Sequence, residues 1–154
     1  GHIDQSSFAR IILDEKNGPP PEVNLFNEKN NGESLLNLIK KNYIKSAHDV
    51  SVGGILTAIS KMCIKGNKGF KLEKSKNLMN DIEYFFAEDQ GRYLIEINKK
   101  DLEEVVKILN KNSVHYEKLG IIVDKDLIIN DKTKVTIDEL KNYNSNWLTN
   151  YMSS

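Results

Sequence analysis

The sequence predicts an α+β fold in which a mixed sheet carries packed helices around a ferredoxin-like β-α-β core. Alternating apolar and polar residues in Gly69–Glu73 and Arg92–Ile97 predict strands, and other segments show helical spacing. Residues 92–123 supply the core, because a helical pattern there lies between two strand patterns, the second being Lys118–Val123. At 154 residues the chain is expected to form a single domain, 1–154.

Apolar residues at helical spacing predict three helices in the first half of the chain. Ser6–Leu13 places Phe8, Ile11 and Ile12 on one face, and a glycine followed by three prolines then ends that helix. Asn24–Lys41 is the second helix, although Asn30-Asn31-Gly32 interrupts it with weak helix formers. Its apolar face is expected to consist of three residues, Leu35, Leu36 and Ile39. The third helix begins near Gly54, and its buried stripe is expected to be Ile55, Ile59, Met62 and Cys63.

Two capping boxes predict helix starts in the second half of the chain. Asp101 with Glu104 opens one helix, whose buried face is expected to be Leu102, Val105, Val106 and Leu109. Thr136 with Glu139 opens the last helix. Its apolar face is expected to be Leu140, Tyr143, Trp147, Leu148 and Tyr151. The polar stretch Lys74–Asp81 predicts a loop.

Composition excludes several classes of function. Twenty-two basic residues balance twenty-two acidic ones, so no net charge favours nucleic acid or an anionic membrane as a partner. Cys63 is the only cysteine, which excludes an intrachain disulfide, disfavours a structural zinc site and fits core packing. No apolar run of about 20 residues and no signal peptide is present, so a cytoplasmic protein is expected. Gly1-His2 has the form of a cloning remnant and is assigned no function.

The first polar motif is Ser46-Ala47-His48-Asp49-Val50-Ser51-Val52-Gly53-Gly54. It lies where a short strand, a glycine turn and a helix N-terminus follow one another, a setting whose outward N–H groups and dipole favour phosphate. An Asp beside such a turn can hold the Mg²⁺ that accompanies a nucleotide. The alternative is that Ser51 caps the helix while the two glycines only turn the chain.

The second polar motif is Phe86-Ala87-Glu88-Asp89-Gln90-Gly91-Arg92, between an aromatic pair and a buried strand. A purely structural loop rarely needs Glu, Gln and Arg together, although a solvated turn with an exposed Arg92 is the alternative. No catalytic triad order, metal-ligand cluster, Walker A loop or dinucleotide fingerprint is present. No catalytic residue is therefore predicted in this chain.

The two motifs resemble the C-terminal domain of phosphoribosylformylglycinamidine synthase (large subunit), the amidoligase of purine biosynthesis. The matching residues are Ser46-Ala47-His48-Asp49-Val50-Ser51-x-Gly53-Gly54 and Phe86-x-Glu88-x-Gln90-x-Arg92. A proline-rich connector and a helix before the first motif, and a glycine-containing strand at Leu119-Gly120 after the second, follow the same order. The resemblance covers nearly the whole chain and implies the aminoimidazole ribonucleotide synthetase-like fold.

The resemblance implies that the chain is a fragment, the second of two C-terminal domains in a longer enzyme. That enzyme converts formylglycinamide ribonucleotide to the amidine with ATP, taking ammonia from glutamine, so activity is expected only at full length. Expected cofactors are ATP or ADP and Mg²⁺, held mainly by other domains. Expected partners are the N-terminal domains of the same chain, a glutaminase, small accessory subunits and the small-molecule substrate.

The resemblance also implies roles for individual residues at an auxiliary nucleotide site. Asp49 is expected to bind the metal, and Ser51, Gly53 and Gly54 are expected to contact the nucleotide. Four further residues are expected near the ligand: His48, Glu88, Gln90 and Arg92. Val52 departs from the family pattern, which has an acidic residue there, and this loss of negative charge weakens the case for metal binding.

Two other interpretations stay open. The chain is alternatively a non-catalytic ferredoxin-like interaction module, in which both motifs only cap helices and turn the chain. A third interpretation keeps the superfamily but assigns selenophosphate synthetase or hydrogenase-maturation chemistry, against which the segment Glu88-x-Gln90-x-Arg92 argues.

Overall fold

A computed structural model describes residues 1–72 and 80–153 of the chain. The helices, in chain order, are α1 (Ser7–Ile11), α2 (Leu25–Lys40), α3 (Gly54–Gly66), α4 (Asp81–Phe86), α5 (Leu102–Lys111) and α6 (Ile137–Ser153). The strands are β1 (Ile44–Asp49), β2 (Gly69–Leu72), β3 (Tyr93–Ile97), β4 (Gly120–Val123), β5 (Leu127–Ile129) and β6 (Thr133–Val135). Most of the loop predicted at Lys74–Asp81 lies outside the described residues, because the description resumes at residue 80.

The chain divides into two compact units, the first comprising Gly1–Ala58 and Met79–Glu117. Its sheet pairs β1 with β3 in antiparallel fashion, so that Asp49 lies opposite Tyr93. One more hydrogen bond, from the Val50 N–H to the Arg92 carbonyl at 2.9 Å, extends this pairing. Antiparallel pairing therefore brings the end of β1, where the first motif turns, to the start of β3, where the second motif ends.

A small apolar core lies beside this two-stranded sheet. Leu38 of α2 packs with Val105 and Leu109 of α5. Partly buried residues surround them: Tyr43, Ile44, Ile95, Ile97, Ile108 and Val114. Burying these apolar side chains stabilises α2 and α5 against the sheet.

The second unit comprises Ile59–Leu78 and Lys118–Ser154, and its four strands form a mixed sheet in the order β4-β2-β5-β6. β2 is antiparallel to β4 and parallel to β5, and β5 is antiparallel to β6. Gly120 is required here because a Cβ at that position would overlap the carbonyl oxygen of Lys71 on the neighbouring strand.

The α+β class and the mixed sheet are confirmed, but the predicted β-α-β unit at 92–123 is not formed in one sheet. β3 pairs with β1, whereas β4 pairs with β2 in the other sheet. Strand pairing depends on partners far away in the sequence, so the local order strand–helix–strand does not determine it.

Several predicted apolar faces differ from the observed ones. Helix α1 has five residues and ends at Ile11, before the predicted end at Leu13; Ala9 is its buried position, while Ile11 and the following Ile12 are exposed. α2 runs unbroken through Asn30-Asn31-Gly32, but it buries Ser34 and Leu38 instead of Leu36 and Ile39. The helix is confirmed, and its orientation is set by the core beside it.

The prediction for the lone cysteine is confirmed, and so is the predicted buried stripe of α3 except at Met62, which is only partly buried. The buried residues of α3 include Ile55, Ile59 and Cys63. Burial raises the pKa of the Cys63 thiol to about 11, as expected for a cysteine that only packs. Among the described residues, no helix is both long and apolar enough to cross a membrane.

The two capping boxes have different outcomes. Thr136 and Glu139 form the predicted box, since the Glu139 N–H donates to Thr136 Oγ1 (3.1 Å) and the Thr136 N–H donates to Glu139 Oε2 (2.8 Å). Asp101 instead ends a 3₁₀ turn and accepts a hydrogen bond from Asn98 Nδ2 at 2.8 Å. Leu102 of the predicted α5 face is exposed, while Val105 and Leu109 are buried as expected.

Candidate functional site

The two polar motifs meet at an open cleft of about 530 Å³ in the first unit. The residues that line it are Leu25, Glu28, Lys29, Asp49, Val50, Ser51, Gln90, Gly91, Arg92 and Tyr93. Four of the predicted site residues are therefore brought together: Asp49 and Ser51 from the first motif, and Gln90 and Arg92 from the second. The pairing of β1 with β3 is the structural reason for their proximity.

The two neighbouring residues at the end of β1, His48 and Asp49, differ in exposure. The Asp49 side chain lies at the cleft and is about two-thirds exposed. The His48 ring is more buried, with Nδ1 lying 2.6 Å from the Asp49 carbonyl oxygen and 3.3 Å from Asp49 Oδ1. His48 is not among the cleft residues, so within the described structure its closest link to the site is Asp49.

The glycine pair after β1 has a steric reason. Gly53 and Gly54 have φ values of +83° and +67°, in the left-handed region that favours glycine. A Cβ at Gly54 would also lie 2.6 Å from the carbonyl oxygen of Phe85 and 2.7 Å from Cα of Phe86. The turn thus lets the start of α3 approach the end of α4 closely.

Glu88 joins the two motifs directly. Its Oε1 accepts hydrogen bonds from the Gly53 N–H and from the Ser7 N–H, both at 2.8 Å. We call these two hydrogen bonds the Glu88 clamp. Gln90 and Arg92 line the cleft, but Glu88 and the predicted nucleotide contacts Gly53 and Gly54 are not among the lining residues.

The N-terminal segment lies against the second motif. The His2 N–H donates to Asp89 Oδ1 at 3.1 Å, and the Glu88 N–H donates to the His2 carbonyl at 3.3 Å. The rings of Phe8 and Phe86 stack with centroids 4.7 Å apart. Gly1-His2 was assigned no function from the sequence, and the contacts of His2 fasten this segment to the 86–92 loop.

The Arg92 side chain stabilises the 86–92 loop that leads to it. Its guanidinium donates to the Ala87 carbonyl, and Nε donates to the Asp89 carbonyl at 3.4 Å. Burial lowers the pKa of Arg92, and the nearby Asp89 carboxylate partly opposes that shift. Through these two hydrogen bonds to backbone carbonyls, the guanidinium holds the loop while it lines the cleft.

Helix α2 supplies the wall that the sequence motifs did not indicate. Asn31 Nδ2 donates to the Gly91 carbonyl at 2.9 Å, and a Cβ at Gly91 would lie 2.8 Å from Cγ of Glu28. This contact places Glu28, Lys29 and Leu25 at the cleft. The available signal was helical spacing, because Leu25, Glu28 and Lys29 lie at i, i+3 and i+4 and so share one face.

The cleft offers oxygen donors of the kind that Mg²⁺ takes, but no preformed metal site among the described residues. Its oxygen donors include the carboxylates of Asp49 and Glu28 and the hydroxyl of Ser51. Mg²⁺ commonly takes one or two carboxylates and completes its shell with water and phosphate oxygens. Within residues 1–72 and 80–153, no group of three or more His, Cys, Asp or Glu side chains is placed to hold a metal.

A match to a protein family covers most of the chain. The model for "AIR synthase related protein, C-terminal domain" matches residues 2–132. That range includes the cleft, the Glu88 clamp and all strands except β6, and it ends before α6.

Two similar proteins carry the same description. The chain is 66% identical over its full length to a phosphoribosylformylglycinamidine synthase subunit PurL from Pelagibacter ubique, of which it covers 21%. It is 33% identical over 151 residues to the PurL subunit of Bartonella henselae, of which it covers 20%. The chain thus spans about a fifth of the length of these curated relatives.

Solved structures share the fold. Thermotoga maritima PurL complexed with FGAR superposes with a TM-score of 0.72 at 21% identity, covering 87% of this chain and 24% of that one. The same protein complexed with ATP gives 0.67 at 19% identity, covering 91% and 24%. At this level of identity the likeness shows a common fold.

Proposed function

The chain belongs to the AIR synthase related protein, C-terminal domain, family, and we propose that residues 1–154 form one such domain of a phosphoribosylformylglycinamidine synthase. The observation that carries the proposal is the 66% identity, over the whole chain, to the PurL subunit of Pelagibacter ubique. Because the chain covers 21% of that relative, the reaction belongs to a longer protein.

The proposed reaction converts formylglycinamide ribonucleotide to formylglycinamidine ribonucleotide. ATP phosphorylates the amide oxygen of the substrate, and ammonia derived from glutamine then displaces the phosphate. The Thermotoga maritima PurL structures with ATP and with FGAR support ligands of these two classes. The assembly called PurLQS supports partner subunits, which we propose to include a glutaminase and a small accessory subunit, acting in the cytoplasm.

We propose that the cleft holds a polar ligand in this longer protein, with Asp49 as a ligand of Mg²⁺ and Ser51 against a nucleotide. Gly53 and Gly54 stay predicted nucleotide contacts, although neither is among the residues that line the cleft. The Gly53 N–H already donates to Glu88 and the Gly54 N–H to the Ser51 carbonyl, so the proposed contribution of the pair is the tight turn that presents Ser51, not N–H donation. His48 stays a predicted neighbour of the site through Asp49.

A segment exchange tests the function. The matching segment of Pelagibacter ubique PurL is replaced by this chain, and ATP-dependent formation of the amidine is measured with FGAR and ammonium. The chimera is expected to retain activity within about tenfold of its parent, because two residues in three are identical and the fold is shared. A chimera that is soluble and folded but has less than about 1% of the parental activity would overturn the proposal.

Variants of the chimera separate an enzyme domain from an interaction module. Asp49→Asn and Ser51→Ala are each expected to lower kcat/KM for ATP at least tenfold. The matched controls Asp138→Asn and Ser153→Ala change exposed residues of α6, outside the cleft, and are expected to leave activity unchanged. Equal activity of all four variants would instead favour an interaction module, in which the two motifs only turn the chain and cap helices.

A further inference from the structure

We propose that Glu88 is a positioning residue, whose carboxylate holds the glycine turn through the Glu88 clamp and so keeps Ser51 at the rim of the cleft. The clamp is a feature of the structure, whereas its effect on activity rests on the proposed function. Glu88 then acts through Gly53 and Ser51 instead of contacting the ligand.

The first step of the argument is the geometry of the clamp. One oxygen, Oε1, accepts from the N–H groups of Ser7 and Gly53 at 2.8 Å each. A carboxylate oxygen has two lone pairs in its plane, so both directions at Oε1 are used. Hydrogen bonds to a carboxylate are about twice as strong as neutral ones, which makes this a firm link between two backbone segments.

The second step is that the Gly53-Gly54 turn needs a hydrogen bond from outside itself to hold its conformation. Two consecutive glycines with positive φ lose more conformational freedom on folding than other residues, and the turn itself supplies one hydrogen bond against that loss, from the Gly54 N–H to the Ser51 carbonyl at 3.0 Å. At its start, the turn is fixed by the Val50 N–H bonded to the Arg92 carbonyl at 2.9 Å. At Gly53, it is fixed by Glu88. Ser51 lies between these two fixed points, so we expect loss of the second one to loosen Ser51, which the Val50 bond and the internal hydrogen bond of the turn would then hold alone.

The third step is what lies on the other side of Glu88. Ser7 is the first residue of α1, and the preceding Ser6 side chain caps that helix by accepting from the Ala9 N–H at 3.1 Å. Stacking of Phe8 on Phe86 and the contacts of His2 hold the same segment. The clamp therefore ties the glycine turn to an already fastened N-terminal segment.

The experiment uses the PurL chimera and two pairs of variants. Glu88→Ala removes the acceptor, whereas Glu88→Gln keeps an oxygen able to accept both bonds. Ser7→Pro removes one donor, and Ser7→Ala keeps it. Proline suits this site because it is tolerated at the first helical position, and Ser6 has the extended backbone (φ −68°, ψ 162°) that a residue before proline prefers.

Glu88→Ala is expected to lower kcat/KM for ATP at least tenfold, and Glu88→Gln is expected to restore it to within about threefold of the chimera. Ser7→Pro is expected to lower it about threefold, and Ser7→Ala to leave it unchanged. Combining Glu88→Ala with Ser51→Ala is expected to add little to either single loss, because both act on one contact. Three results would each overturn the proposal. Glu88→Gln could be as inactive as Glu88→Ala, the losses of Glu88→Ala and Ser51→Ala could be additive, or the two Ser7 variants could be equally active.

Hydrogen exchange gives a readout that needs no activity. In the same chimera, Glu88→Ala is expected to speed exchange in peptides covering residues 51–54 and 6–9 together, while Glu88→Gln leaves both slow. If the chimera proves inactive, the proposed function fails, and this measurement still decides the clamp. Unchanged exchange at 51–54 in Glu88→Ala would overturn the clamp even in an active chimera.

Discussion

Helices α3 and α6 carry apolar residues at the same helical spacing, yet the structure buries one stripe and exposes the other. In α3, Ala58 and Ile59 are 2% and 4% exposed. In α6, Tyr143, Trp147 and Tyr151 are 82%, 63% and 74% exposed. The periodicity of a sequence therefore predicts that a helix has an apolar face, but a neighbouring element must exist to cover that face.

The largest effect is expected at the start of α3. Gly54→Ala should lower the free energy of unfolding by more than about 3 kcal/mol, because it combines a positive φ with overlap against backbone atoms of Phe85 and Phe86. Gly66→Ala, at the other end of the helix, is the matched control, since a Cβ there meets nothing within 4 Å. Urea unfolding of both variants checks this, and equal losses would refute the steric argument.

The next prediction compares the buried apolar stripe of α3 with the exposed one of α6. Ile59→Ala should destabilise the chain by about 2–4 kcal/mol because it leaves a cavity at a buried site. Trp147→Ala should change stability by less than about 0.5 kcal/mol because the ring is already largely in water. Thermal unfolding of the two variants measures the contrast. A large loss for Trp147→Ala would mean that something covers α6 in solution.

Alkaline pH should weaken α3 through Cys63. Burial raises the pKa of this thiol to about 11, whereas an unfolded cysteine ionises about two units lower. The folded state keeps the proton over that range, so the contribution of Cys63 to stability is constant below pH 9 and falls between pH 9 and 11, by about 3 kcal/mol in total at about 1.4 kcal/mol per pKa unit. Urea midpoints of the chain and of Cys63→Ala check this, because the variant should lack that part of the alkaline loss.

The smallest effect concerns the helix start of α6. Thr136→Ala should lower the free energy of unfolding by about 1 kcal/mol, because it removes an observed N-cap hydrogen bond. Asp101→Ala, in the box that does not form, should lower it by less than about 0.5 kcal/mol. Circular dichroism during thermal unfolding compares the two, and the reverse order would contradict the observed contacts.

Secondary structure was largely predictable because it depends on neighbours in the sequence. The turn at Gly53-Gly54 and the Thr136 box each depend on residues within about four positions of one another, whereas α1 ends at Ile11, well before the prolines that were expected to stop it. The same spacing was less informative about orientation: Leu36 and Ile39 were expected inside, but α2 turns Ser34 and Leu38 to the core. Ser34 is buried because its hydroxyl accepts from Asn112 Nδ2 at 2.9 Å, a partner 78 residues away.

The candidate site was partly predictable for the same reason. The motifs named Asp49, Ser51, Gln90 and Arg92, and the cleft brings these four together. Glu28 and Lys29 were missed because their helical spacing indicates a shared helix face but does not indicate that this face lines a cleft. Glu88 was expected near a ligand, and its observed contacts are with the backbone of Ser7 and Gly53.

By itself, the sequence determined the helix and strand types, the need for glycine at the turn after β1, and the resemblance carried by the two polar motifs. Only the tertiary structure decided that β3 pairs with β1 and β4 with β2, that α3 is covered and α6 exposed, and that Glu88 faces backbone donors. The physical reason is the distance along the sequence between the residues that interact. Turns, caps and helical spacing are satisfied within a few residues, whereas strand pairing, burial and the partner of a carboxylate depend on groups brought together from distant positions.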